Sequence, residues 1–226
     1  MVVQPKMEED FRAVDLIQTL TKETDKRNPK DLDLIVKALG DVFRTGKVRP
    51  ADRAHLYDEA AKQLGKLGAD GARELVKAVT DNRFKGRDYS PVRAKLLTEI
   101  GHTKDEKQVD FLLEQALRSP DNDVMGAAGE ALGNFTSLET KHRREVVKQL
   151  VSRYGEWHGK ATQPESSDPK APVDFSPQNA RETLNRIQGR WNSALSALTG
   201  QAFTSAPDWQ RWINKNRDWV PPGGKK

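Results

Sequence analysis

Asp121-Asn-Asp-Val-Met-Gly-Ala-Ala-Gly-Glu-Ala-Leu-Gly133 runs from a helix-capping carboxylate through small and apolar residues to a Leu-Gly ending. The same kind of ending recurs twice upstream, at Leu64-Gly65 and Ile100-Gly101. Eight residues before each apolar partner stands another, Leu56, Val92 and Val124, and four residues after those come Ala60, Leu96 and Ala128. The glycines at 65, 101 and 133 are 36 and 32 residues apart. A return of that length suits a two-helix unit that stacks on copies of itself to bury a face it cannot bury alone.

Working outward, helical periodicity dominates and strand-like alternation is nearly missing, so the chain reads as all-α. Leu32, Ile35, Val36, Leu39, Val42 and Phe43 step by three and four, as do Ala72, Leu75, Val76 and Val79, and again Val109, Leu112, Leu113, Ala116 and Leu117. Each set is one buried stripe. The stripes predict helices over 8–22, 31–45, 51–65, 70–80, 91–101, 105–118, 122–135 and 139–156, which make four antiparallel pairs. Ser90 before Pro91, and Thr103 before Asp105 and Glu106, are the start signals. Gly65, Gly101 and Gly133 are expected to leave their helices in a left-handed or tight conformation. Gly40 sits inside the second helix, and the first pair is therefore read as an atypical capping pair.

The expected fold is an α-α superhelix, a solenoid of about four helix pairs over residues 1–157. A Pro-rich linker or strap follows at 158–176, with Pro164, Pro169 and Pro172. Residues 177–226 then supply a C-terminal capping helix and a Trp-rich tail. The helix is carried by Leu184, Ile187, Trp191, Leu195 and Leu198 and closed by Gly200.

The chain has 226 residues, no cysteine, and 38 basic against 33 acidic residues for a net charge of +5. Cysteine chemistry is excluded, and interleaved charge of this kind is usually a solvated coat. The opening MVVQPKMEED carries no apolar run of signal-peptide length, and no later stretch approaches a membrane span. A soluble chain is expected, and its compartment is left open.

The stretches 121–133, 90–101 and 52–66 resemble the first helix of a HEAT repeat of the short bacterial type. Met125 stands where the family often has Arg after its Val, and Leu56-Tyr57 replaces that pair in another copy. The tail Ala197-Leu-Thr-Gly-Gln-Ala-Phe-Thr-Ser-Ala-Pro-Asp-Trp-Gln-Arg-Trp212 is similar to a closing module found after HEAT repeats in some bacterial proteins, many of them exported. The resemblance implies a scaffold or binding surface and no particular activity. It also admits that the chain is the mature part of an exported bacterial protein.

Second helices of such pairs line a concave face. Residues there that lie off the buried stripes are Arg73, Lys77, Phe111, Gln115, Arg144 and Lys148, and these are the candidate contacts for a protein partner. A basic patch at Arg83, Lys85, Arg87 and Arg93, interleaved with Phe84 and Tyr89, is the candidate anion-binding surface. A second one is Lys141-His-Arg-Arg144 with Lys148, where basic charge does not suit a helix start and either a bound anion or pairing with Glu139 or Glu145 would explain it. Trp157, Trp191, Trp209, Trp212 and Trp219 all fall in the last third. They form either an aromatic platform or, as the preferred reading, a small core of Trp191, Phe203, Trp209 and Trp212 that leaves Trp219 exposed.

Asp121-Asn-Asp with Gly126 begins like a calcium loop but has Met125 and Leu132 where oxygen ligands are needed, so helix capping is expected instead. The histidines His55, His102, His142 and His158 are scattered. No phosphate-cradling glycine loop, nucleophile elbow or nucleophile-base pair is visible. The expectation is a non-enzymatic protein-interaction module without cofactor or metal. The alternatives are a nucleic-acid-binding or base-excision protein of the HEAT-like glycosylase kind, using the basic residues, and a lyase-like or chaperone-like HEAT protein, which would need a pocket.

Overall fold

The computed structural model describes residues 9–22, 24, 27–164 and 174–223. Among them there is no strand, and ten α-helices follow in order: α1 (Asp10–Leu20), α2 (Pro29–Arg44), α3 (His55–Leu64), α4 (Gly68–Thr80), α5 (Ser90–Thr103), α6 (Val109–Arg118), α7 (Asn122–Leu132), α8 (Thr140–Ala161), α9 (Ser176–Thr199) and α10 (Ala206–Lys215). The all-α, repeat-like expectation is met. The chain divides into two compact units, residues 1–109 and 110–226.

The first unit holds two rows of helices. In one row α3 packs against α1 and α5; in the other α2 packs against α4, and α3 also touches α2 and α4. The stripes that the sequence marks are what these contacts bury: Leu39, Val42 and Phe43 on α2, Leu56, Ala60 and Leu64 on α3, Leu75 on α4, and Val92, Leu96 and Ile100 on α5. The amphipathic α1 is tied down at its start, where buried Asp10 accepts from Arg49 Nη2 at 2.7 Å and Nε at 2.9 Å. Arg49 is in turn seated by its backbone N–H on the Tyr57 hydroxyl at 3.0 Å.

In the second unit α9 packs on both α7 and α8, and α10 packs on α8. The α9 helix thus packs on α7 and α8 as α3 packs on α1 and α2. This also moves the division of the chain. The composition changes at His158, yet α8 continues to Ala161, whose carbonyl accepts from Arg181 Nε of α9 at 3.1 Å. Residues 165–173 of the Pro-rich stretch lie outside the described residues.

The recurring glycines act differently from the expectation. Gly65 has φ −56° and ψ −23°, and Gly133 has φ −60° and ψ −19°, both right-handed. Gly101 lies within α5, and the left-handed residue after that helix is Lys104, at φ 53°. What the glycines supply is room. A Cβ on Gly65 would come within 3.2 Å of the Glu99 carbonyl of α5, and one on Gly133 within 2.8 Å of the Ala194 Cα of α9. Glu99 is itself buried there, held by Lys95 at 2.6 Å and His102 at 2.8 Å. Gly200, by contrast, does close α9 in the left-handed region, at φ 73°.

Two start signals also differ. Tyr89 stands at the N-cap of α5, with Ser90 already helical. Thr103 ends the same helix, its hydroxyl donating to the Ile100 carbonyl at 2.6 Å, and Asp105 caps the short turn that leads into α6. Asp121 caps α7 as expected, accepting from the N–H groups of Asp123 at 3.0 Å and Val124 at 3.2 Å.

Trp191 is the centre of the second unit. It is fully buried, donates Nε1–H to the Met125 carbonyl at 3.3 Å, and meets Tyr154 edge-on at 6.1 Å. Its indole lies directly on Gly129, where an added Cβ would overlap Nε1. The other aromatics continue the core: Trp209 is buried against Phe203 at 4.9 Å, and Trp212 lies 6.4 Å from Trp209. Trp219 is half-buried against Trp212 at 5.5 Å, so its expected exposure does not hold. Trp157 is half-buried under Arg153 Cζ at 4.7 Å.

Substituting the glycine beneath Trp191 separates room from propensity. Gly129→Ala is expected to lower stability by about 1–3 kcal/mol through overpacking. Gly189→Ala on the same α9, where nothing lies within 4 Å, is expected to raise it by about 0.5–1 kcal/mol. Urea unfolding of the full chain measures both; equal effects would contradict the contact.

Candidate functional site

The seam between α2 and α4 carries two recesses and a row of ion pairs. Asn28 caps α2 by accepting from the Asp31 N–H at 3.0 Å, and Pro29 begins the helix. That fixes the phase of the helix: Leu39, Val42 and Phe43 turn into the core, and Leu32 and Val36 are left half-buried along the seam. On the facing helix the three-residue spacing of Asp70 and Arg73, and of Glu74 and Lys77, sets ion pairs along one edge.

Two recesses share Val36 and Asp70. One, of about 280 Å³, is lined by Thr24, Leu32, Lys66 and Leu67 as well; the other, of about 360 Å³, by Asp33, Lys37, Arg44, Arg73, Glu74 and Lys77. Together they make a groove with an aliphatic floor and charged walls. Glu74 crosses it, lying over Gly40 of α2, where a Cβ would displace its carboxylate. The carboxylate pairs with Arg44 and with Lys77 at 2.8 Å, and Arg44 also reaches Asp41 at 3.0 Å. Burial works to raise the Glu74 carboxyl, but hydrogen bonds from Lys77 and Arg44 outweigh it and hold the group below its ordinary value. Arg44 is raised against the opposing effect of burial by the same contacts with Glu74 and Asp41. Lys37 and Lys66 have no carboxylate partner among the described residues, although Lys66 reaches the Gln63 side chain at 3.0 Å.

Of the six residues expected to contact a partner, Arg73 and Lys77 come together on this groove. Phe111 and Gln115 are half-buried on α6 in the other unit, and Lys148 is exposed on α8. Arg144 is engaged within the chain, giving Nε–H to the Trp219 carbonyl at 2.6 Å and lying 3.8 Å from Asp218. The basic patch is divided as well. Arg83 pairs with Asp81 at 3.1 Å, Lys85 and Arg87 are exposed, and Arg93 is half-buried on α5. Its aromatics are structural: Phe84 is fully buried among Phe43, Tyr57 and Tyr89, so its ring offers no face to a base. In Lys141-His-Arg-Arg144 the two arginines meet backbone carbonyls of the C-terminal segment rather than Glu139 or Glu145.

Val36, Lys37, Arg44 and Glu74 were not among the expected site residues. Val36 belongs to the apolar stripe of α2, and only Gly40, which permits Glu74 to cross the helix, signals that the stripe is open on one side. Among the described residues no three His, Asp or Glu side chains are grouped to hold a metal ion, and no helix is long and apolar enough to cross a membrane. Comparison of the chain with family models, curated proteins and solved structures finds no match.

Glu74→Gln is expected to cost about 1 kcal/mol at pH 7. Because the folded chain holds this carboxyl below 4.5, its contribution is fully present above about that pH and is lost as pH falls through the depressed folded value. Urea unfolding at pH 7 and pH 3 should show the gap between variant and parent closing on acidification. A gap of constant size would contradict the pairing.

Proposed function

We propose that this chain is a non-catalytic binding module of the HEAT-repeat kind whose N-terminal unit takes a protein segment along the α2–α4 groove. The observation that carries the reading is the half-buried pair Leu32 and Val36, left open on a second-row helix between charged walls. Covering one aliphatic side chain of leucine size in such a groove is worth about 1.5–3 kcal/mol, enough to anchor a segment, while the charged rim sets register and encounter rate. The carboxylates of the groove support recognition over proton transfer: Glu74 is held ionised by Arg44 and Lys77, whereas a general acid or base needs a group poised near working pH.

Lys37 and Lys66, without carboxylates of their own among the described residues, favour a partner that brings acidic side chains beside its aliphatic anchor. Peptide-display selection on the full chain tests this. The expected outcome is enrichment of sequences with one or two aliphatic residues flanked by Asp or Glu. Binding of those peptides should fall at least roughly tenfold in Val36→Glu and in Lys37→Glu, with circular dichroism unchanged, and persist in Lys148→Glu. Absence of enrichment, or selected peptides that bind all variants alike, would refute the groove.

A further inference from the structure

The second unit buries an arginine that has no carboxylate partner among the described residues. Arg143 and Arg49 are the two fully buried arginines, each 1% exposed. Arg49 has the Asp10 carboxylate across its Nε–Nη2 edge, whereas Arg143 meets only carbonyls among the described residues: Leu198 at 2.7 Å, Thr136 at 2.5 Å, and Ala197 and Pro222 at 3.4 Å. Nη2 of Arg143 carries two N–H groups and has one acceptor among these. Burial lowers its affinity for the proton, and no carboxylate among the described residues offsets that. Carbonyl dipoles, those at the end of α9 included, satisfy hydrogen bonds and favour a cation but supply no full negative charge.

This side chain lines a recess of about 750 Å³ at the start of α8. Lys141 and Arg144 line it too, and Glu139, which is exposed, is the one carboxylate among the lining residues. The first turn of α8 carries no acidic side chain, so the dipole of a 22-residue helix adds to the same positive field. Leu138 and Val220 give the recess an apolar side. A space of this volume is large enough for a small organic molecule.

We propose that this recess binds a phosphate group, free or carried by a phosphomonoester. The dianion supplies the negative charge that Arg143 lacks, and Lys141 closes over it from the open side. A phosphate oxygen can accept from the one Nη2–H of Arg143 that has no acceptor among the described residues, with the Lys141 ammonium as its second cationic donor. In a monoester the organic part lies against Leu138 and Val220. The site belongs to the second unit, and the α2–α4 groove to the first.

Calorimetric titration of the full chain with inorganic phosphate and with phenyl phosphate, at constant ionic strength, tests the assignment. Both are expected to bind. Lys141→Gln should weaken both roughly tenfold, the loss of one charge-assisted contact. Lys148→Gln, an exposed cation further along the same helix, should bind as the parent does. Tighter binding of phenyl phosphate assigns the recess to a monoester, and equal binding assigns it to the free anion. No heat beyond a chloride control, no change in Lys141→Gln, or the same loss in Lys148→Gln would overturn the proposal.

Discussion

Trp191 can be buried only because position 129 has no side chain, and the second unit is organised around that contact. Removing an aromatic of this size from water contributes about 4–6 kcal/mol at ~25 cal/mol per Å². The pairs that also join α9 to α7, Arg186 with Asp123 at 3.7 Å and Arg190 with Glu130 at 3.6 Å, are each more than a third exposed. Such pairs are worth about 1 kcal/mol or less. Packing of the indole on glycine therefore holds α9 in place, and the ion pairs set its rotation and register. Gly126 and Gly133 extend the same seat, with the Arg186 carbonyl and the Ala194 Cα close to where their Cβ atoms would stand.

Arg143 fixes the other end of α9. Its Nε–H and one Nη2–H donate to the Leu198 and Ala197 carbonyls, in the last turn of a helix that leaves its final carbonyls without internal partners. Cationic charge is favoured at that terminus, so a side chain that is unfavourably placed at the start of its own helix α8 is favourably placed at the end of α9. With Arg144 on the Trp219 carbonyl, two neighbouring basic residues hold the terminal segment over α8.

What could be read from the sequence was local, and what could not was contact across the fold. The apolar stripes, the Asp121 cap and the Gly200 closure depend on residues within one turn of each other, and most are found where the sequence places them, whereas Leu32, Ile35 and Val36 of the α2 stripe are only half-buried. The regular spacing of Gly65, Gly101 and Gly133 was legible, but its cause was not. A right-handed glycine kept free of Cβ for a neighbour some thirty or sixty residues away leaves no local mark that distinguishes it from a helix stop. Phe84 and Tyr89 among basic residues look the same in sequence whether the ring faces solvent or joins Phe43 and Tyr57. At the groove, Arg73 and Lys77 were visible because they fall off a stripe, and Val36 was hidden because it falls on one.

The two rows of the first unit are built on unlike contacts at their glycines. In the α3 and α5 row, a Cβ on Gly65 would meet the buried Glu99 carboxylate at 2.5 Å and also the Glu99 carbonyl at 3.2 Å, so moving the side chain would still leave a backbone contact. In the α2 and α4 row, Gly40 faces the terminal carboxylate of Glu74, a flexible group already shared by Arg44 and Lys77. The first seam is close-packed and resists change. The second is filled by charges that can exchange partners without disturbing a core. A partner carboxylate that displaces Glu74 from Lys77 leaves Glu74 still paired with Arg44, so binding there requires little reorganisation. The polar seam can therefore rearrange its ion pairs, while the seam at Gly65, which also meets the Glu99 backbone, has less room to shift.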